Sequence, residues 1–230
     1  MAEKKNIVTI DGPSGAGKST ISKLLAARLL YTYLDTGAMY RVVGLQVLRT
    51  GLDLEVQGAR EKLAPLLAAL DMTLAPGEEG RETRAFLNGE DVSDAIRTSE
   101  MAMVASRVSA QAEVRKKLTE MQRIIGNNGS IVAEGRDMGT VVFPDAMDKF
   151  FLDASSEERA KRRQKQLAEN GQKIEYQELL TQIQKRDADD SSRTLAPLKP
   201  AEDAVIIDSS EMGIEEVVSF MLAAINEKHK

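Results

Sequence analysis

The chain has 230 residues, 31 Lys plus Arg against 36 Asp plus Glu for a net charge of −5, one histidine and no cysteine. That length accommodates one catalytic domain with insertions, and the slightly acidic balance supplies no global field toward nucleic acid or an anionic membrane, so any anion must be held by a local site. The lack of cysteine excludes disulfides, thiolate metal sites and thiol nucleophiles and suits a reducing compartment, which makes the cytoplasm the default location.

The opening MAEKKNIVTIDG has two lysines and only a short apolar run before Asp11, far short of a signal peptide. No later window offers the roughly 20 apolar residues that span a bilayer. Ile7 to Ile10 is wholly apolar apart from Thr9, as expected of a parallel strand covered on both faces. It runs directly into Gly12, Pro13, Ser14, Gly15, Ala16, Gly17, Lys18, Ser19 and Thr20, which satisfy G-x-x-x-x-G-K-[ST] at every fixed position, with a helix expected over Thr20 to Leu30. The glycines let backbone N–H groups turn inward toward phosphate and the helix N-terminus adds positive potential. Lys18 can reach the transferring phosphate and the Ser19 hydroxyl can ligate a hard cation. The bland alternative is an ordinary glycine-rich turn.

Further along, Asp35 to Arg41 (DTGAMYR) forms a polar cluster. Asp71 to Leu74 and Arg84 to Leu87 are short apolar runs separated by the turn-rich 76–80 and closed by Asn88-Gly89, which reads as a small hairpin or meander inserted into the α/β body. Val114, Leu118, Met121 and Ile125 fall on one helical stripe. The apolar run Ile131 to Ala133 leads into a second polar cluster, Glu134 to Gly139 (EGRDMG), and Phe150 to Leu152 is a further buried-strand run. Residues 155–194 are two charged helices joined through Asn170-Gly171, and a solvated lobe is expected there. A proline-marked loop at 196–200 precedes the run Val205 to Ile207, and Ile214, Val217, Val218, Met221, Leu222 and Ile225 give a last amphipathic helix. Met101, Met103, Met121 and Met138 read as packing residues, and His229 has no expected role. Strand and helix alternate, so the class is α/β.

A phosphate loop alone does not separate a kinase from a switch or a motor. The Asn-Lys-x-Asp string of guanine-specific switches and the Leu-Ser-Gly-Gly signature of transporter ATPases do not occur. Scattered arginines occur instead, as a kinase needs around two polyanions. The opening IDGPSGAGKST, the clusters at 35–41 and 134–139, the stretch VVFPDAMDKFFLDASSEERAKRR and the run from Arg186 to Arg193 together resemble bacterial-type cytidylate kinases from end to end. The open alternatives are another small P-loop kinase, for a different nucleoside monophosphate or a hydroxyl metabolite, and a nucleotide-dependent switch.

The resemblance implies a three-layer α/β/α P-loop fold with a parallel five-stranded core sheet whose second strand is Tyr33-Leu34. It implies a core of 1–35, 111–154 and 195–230, an acceptor-binding insertion over 36–110, and a helical lid over 155–194. It implies ATP with Mg²⁺ as donor, CMP or dCMP as acceptor, and a monomer. Residue by residue, Arg41 and Arg136 match positions that hold the acceptor phosphate, although Arg41 also reads as a solvated helix arginine and Arg136 as an ion-pair partner of Glu134 or Asp137. Ser106, Arg115 and Asp137 match positions around cytosine, where a carboxylate accepts from the N4 amine; without the family Arg115 is one charge on a solvated helix. Thr36 stands where serine is common, keeping the hydroxyl with an added methyl. Glu134, where aspartate is frequent, is assigned to a metal-bound water or to an arginine or helix-capping partner. Arg186, Asp190 and Arg193 match positions near the acceptor sugar and the transferring phosphate. Arg159, Arg162 and Arg163 lie at helical spacing in a basic run, of which about half are expected to touch ATP.

Overall fold

The computed structural model describes residues 6–56, 58–77, 83–169 and 171–229. Its central element is a five-stranded parallel sheet made of β1 (Ile7–Asp11), β2 (Thr32–Asp35), β6 (Ile131–Gly135), β7 (Asp148–Asp153) and β8 (Val205–Asp208), in the order β2-β6-β1-β7-β8. β1 runs parallel to β6 with Ile7 opposite Ile131, and to β7 with Val8 opposite Asp148. That register brings the ends of β1 and β6 level, with Asp11 opposite Gly135. Strands β1, β6 and β7 are buried along nearly their whole length, as their continuous apolar runs require. β8 differs from the reading of a strand covered on both faces. It lies at the sheet edge with Ile206 63% exposed and only Ile207 fully packed, since among the described residues it pairs with β7 alone.

Helices α1 (Lys18–Leu29) and α8 (Ile214–Lys228) pack on this sheet. Ile21, Leu25, Val217, Val218 and Met221 join Val8, Ile10 and Leu152 in one core. Of the stripe expected for α8, Ile214 is half exposed because it opens the helix beyond the edge of that core. Helices α6 (Ser156–Glu169) and α7 (Tyr176–Ser192) pair through a small core of their own, Ala160, Leu167, Leu179 and Ile183. The expected turn at Asn170 lies outside the described residues. His229, for which no role was expected, places Nε2 2.8 Å from Asp148 Oδ2 at the start of β7.

The chain divides into two compact units, residues 1–34 with 129–230, and residues 35–128. The second contains α2 (Thr36–Arg49), α3 (Ala59–Ala68), β3 (Met72–Ala75), β4 (Arg84–Leu87), β5 (Glu90–Asp91), α4 (Ser99–Ser109) and α5 (Ala112–Asn127). The three strands form an antiparallel meander. Asn88 and Gly89, both at positive φ, make the two-residue turn between β4 and β5, as the Asn-Gly pair predicts. The expected turn at 76–80 falls largely outside the described residues. α5 packs against α2, α3 and α4 through a face that buries Val114 and Leu118, and this compact unit includes it to residue 128, whereas the resemblance implied an insertion over 36–110. Met103 is 64% exposed on α4 and Met101 is buried, so of this pair only Met101 packs inward.

Candidate active site

β1 delivers the chain to the phosphate loop, and the neighbouring strand dictates its first residue. Gly12 has φ +151°, and a Cβ there would lie 2.0 Å from the carbonyl oxygen of Leu152 in β7. Only glycine passes that point. Gly17, at φ 92°, caps α1 without a side chain, and no acidic residue occupies the first turn. The first N–H groups of α1 and its positive end therefore face the loop with no carboxylate from their own turn to neutralise them. Ser19 and Thr20 are exposed on this turn. Lys18 is 6% exposed and its Nζ donates to Pro13 O at 2.7 Å, folding the ammonium back across the loop. Burial lowers its pKa well below the lysine range, and Arg136 and Arg186 push it the same way against Glu134 and Asp11.

The carboxylates that act on Lys18 sit at the ends of adjacent strands. Asp11 closes β1, buried, and accepts from the backbone N–H groups of Met138 and Gly139, each at 2.8 Å. Burial pushes its carboxyl up to about 6; the two N–H donors and Lys18 oppose the shift and Asp137 adds to it. Glu134, also buried, lies on β6 and accepts from the Tyr33 hydroxyl on β2. Beyond β6, Asp137 is buried at the head of a one-turn π-helix, Met138–Val142, and its carbonyl accepts from the N–H groups of Val141 and Val142 at the far end of that turn.

Arg136 reaches the other way. Its Nε donates to Asp190 Oδ2 at 2.9 Å and its Nη1 to Gly135 O at 3.2 Å. Asp190, buried near the end of α7, also takes Arg193 on Oδ1. Burial raises the Asp190 pKa, yet Arg136, Arg193 and Arg186 together hold it below the usual carboxylate range. One carboxylate therefore gathers cations from the core strand and from α7. Arg186 Nη1 donates to Ser14 Oγ at 3.1 Å, so α7 touches the phosphate loop as well.

The three arginines of α6 diverge. Arg159 is buried, with Nε on Ala154 O at 2.8 Å, Nη1 on Ser14 O at 3.1 Å and on Asp187 Oδ1 at 3.1 Å, and Nη2 on Asp187 Oδ2 at 2.6 Å. It braces the loop from behind, its Cβ so close to Gly15 that an added methyl there would lie 3.2 Å away. Arg162 bonds Ser209 through O at 2.5 Å and Oγ at 3.2 Å. Arg163 is half-buried and bonds Gln166 Oε1 at 2.8 Å.

In the second unit, Thr36 and Arg41 lie on α2, whose start is capped by the Asp35 carboxylate accepting from Ala38 N at 2.9 Å. Thr36 is buried and Arg41 half-buried. Arg115 of α5 is buried, donates to Ser109 O at 3.1 Å and stands 5.8 Å from the Tyr40 ring centroid. Ser106 lies one turn before Ser109, whose hydroxyl donates to its carbonyl at 2.7 Å. Four expected residues thus lie on the mutually packed helices α2, α4 and α5. Lys18, Glu134, Arg136, Asp137, Arg186, Asp190 and Arg193 gather in the first unit.

Sequence reasoning passed over Asp11, Tyr33, Asp187 and Ser209. The available signal for Asp11 was a lone acid closing an apolar strand immediately before the phosphate loop. Asp187 could have been read as the acid one residue after Arg186 on a helix rich in arginine partners.

A model of the family described as Cytidylate kinase matches residues 8–227. A curated relative named Cytidylate kinase from a Geobacter species is 50% identical over 228 residues, covering 99% of this chain and 96% of its own. Another of that name, from Aliivibrio salmonicida, is 49% identical over 222 residues, covering 96% and 97%. Among solved structures, an uncharacterized protein from Eubacterium ventriosum shares the fold at a TM-score of 0.51 and 12% identity, covering 97% of this chain and 99% of that one.

Proposed function

The chain belongs to the cytidylate kinase family, and from that membership we infer how its own residues carry the reaction. It is an ATP-dependent kinase that moves the γ-phosphate of ATP to CMP or dCMP, leaving ADP and giving CDP or dCDP. An oxygen of the acceptor phosphate attacks the γ-phosphorus while the bridging oxygen departs with ADP, so charge spreads over the transferring group and the protein's task is positioning and neutralisation.

The observation that carries the assignment of roles is the cation cluster around Lys18. Burial, Arg136 and Arg186 all disfavour the charged form of Lys18, and Asp190 is held ionised by Arg136 and Arg193. Such a cluster is costly until polyanions enter it. We assign the backbone of 12–20 and Lys18 to the ATP phosphates, with Arg163 as an outer contact and Arg159 acting on the loop through Ser14. Arg136 and Arg41 take the acceptor phosphate. Arg186 and Arg193 neutralise the transferring group, and Asp190 exchanges an arginine for the ribose hydroxyls. Asp137 accepts from the cytosine N4 amine, with Arg115 and Ser106 supplying the donors and Thr36 a hydroxyl contact.

Use of ATP by this family implies a divalent metal, and we take it to be Mg²⁺. The donor set fits, since the Ser19 hydroxyl and the Glu134 carboxylate are hard oxygen ligands. Among the described residues no group of three or more His, Cys, Asp or Glu could hold an ion. Ser19 and Glu134 would hold the ion together with the triphosphate, and it would supply neutralisation of phosphate charge. Among the described residues no helix is long and apolar enough to cross a membrane. We propose a monomer acting on small nucleotides in the cytoplasm.

Asp137→Ala tests the base-reading role. CMP affinity should fall by roughly 1.5 to 3 kcal/mol, ATP affinity should hold, and the preference over UMP should shrink, because uracil presents O4 where cytosine presents a donor. An unchanged CMP to UMP ratio of kcat/KM would remove Asp137 from base recognition.

A further inference from the structure

We propose that Asp11 is a positioning residue that fixes the acceptor-reading loop 136–139 against the phosphate loop. The proposal rests on the assignment of Arg136 and Asp137 to the acceptor nucleotide. Asp11 is the last residue of β1, and the next residue begins the phosphate loop. Its two carboxylate oxygens are divided between two consecutive backbone donors: Oδ1 takes Met138 N and Oδ2 takes Gly139 N, both at 2.8 Å. These are the residues immediately after Arg136 and Asp137. One side chain thereby ties the segment that carries acceptor recognition to the segment that carries the donor phosphates.

The surroundings leave this arrangement little slack. A Cβ at Gly139 would lie 3.1 Å from Thr9 Oγ1, 3.2 Å from Lys149 Cδ and 3.5 Å from Asp11 Oδ2, so the turn is seated directly on the end of β1. The chain enters that turn from Gly135, which is paired in register with Asp11 itself. Only a carboxylate can do this. An asparagine would satisfy one N–H with its carbonyl oxygen and turn its own N–H₂ toward the other, placing two donors face to face in a buried site. Asp11 is 3% exposed, and an anion kept there works against the fold unless something depends on it. Its carboxylate is engaged by two backbone amides, which leaves it poorly placed to act as a proton acceptor and well placed as a support.

Asp11→Asn in the full-length enzyme is the test. The KM for CMP should rise roughly tenfold or more and discrimination against UMP should fall, while the KM for ATP stays within about threefold, because one lost buried hydrogen bond displaces the acceptor loop and leaves the phosphate loop in place. Amide exchange at Met138 or Gly139 should accelerate while Val8 and Val132 in the paired strands stay protected. A variant whose two KM values rise together, or whose CMP KM is unchanged, overturns the proposal. If the variant does not fold, the wild-type amide signals of Met138 and Gly139 are followed with pH. They should move together as the Asp11 carboxyl, which faces Asp137 and Lys18 with the Lys149 stem beyond Gly139, titrates near its value of about 6. Independent or absent movement overturns it. Failure of the functional reading would look different, since wild-type enzyme would then not phosphorylate CMP at all.

Discussion

Lys18 shows how the site is prepared for its ligand. Burial, Arg136 and Arg186 all disfavour its charged form, leaving Glu134 and Asp11 to oppose them. Triphosphate oxygens reverse that balance, so the pKa of Lys18 is low without ATP and higher with it. Between those two values the free enzyme holds a neutral amine and the complex an ammonium, and binding must take up a proton. Calorimetry of ATP binding in buffers of different ionisation enthalpy should therefore report proton uptake in the pH interval between the two. Lys18→Met should abolish the uptake and remove on the order of 3 kcal/mol of transition-state stabilisation from kcat. Binding without buffer dependence, or with proton release, would contradict the electrostatic account. Lys18 was legible in the sequence because its role is written into eight contiguous positions. Asp11 was not, because its partners lie 127 and 128 residues further along and a backbone donor leaves no mark in a side-chain pattern.

At the scale of elements, the strands of the core were readable because a strand covered on both faces must be apolar throughout, as 131–133 and 150–152 are. The edge position of β8 was not readable, since a three-residue apolar run does not reveal whether a neighbour covers its outer face. The Asn88-Gly89 turn was readable because few residue pairs adopt positive φ twice in succession. The divergence of Arg159, Arg162 and Arg163 was hidden. Helical spacing separates their directions, but only the neighbours, Asp187, Ser209 and Gln166, decide what each does. The junction of β1 and the phosphate loop yields a sharp expectation. Gly12→Ala would drive a Cβ into Leu152 O across the β1–β7 pairing and also strain the backbone at φ +151°. The cost should be about 3 kcal/mol or more, with a thermal midpoint lowered by several degrees and ATP affinity lost with it. An alanine variant with native stability and affinity would show that the two strands do not constrain the loop.

Over the whole molecule, the candidate site residues are distributed between the two units by sequence region. Residues 1–34 and 129–230 hold the phosphate loop, Glu134, Arg136, Asp137 and the α6–α7 pair, and residues 35–128 hold Thr36, Arg41, Ser106 and Arg115. The meander at 71–92 was visible as a break in the strand and helix rhythm, whereas the bounds 36–110 came from the family resemblance and the second compact unit spans 35–128. What the residues alone left open, the choice among nucleoside monophosphates, was closed by likeness to a family and not by the phosphate loop. The most direct test of the account follows the phosphate itself. Enzyme given γ-labelled ATP and an equal mixture of CMP, dCMP, UMP, AMP and dTMP should place the label in CDP and dCDP well ahead of any other product, with little free phosphate. Label released mainly as inorganic phosphate, or shared evenly among the five acceptors, would contradict it.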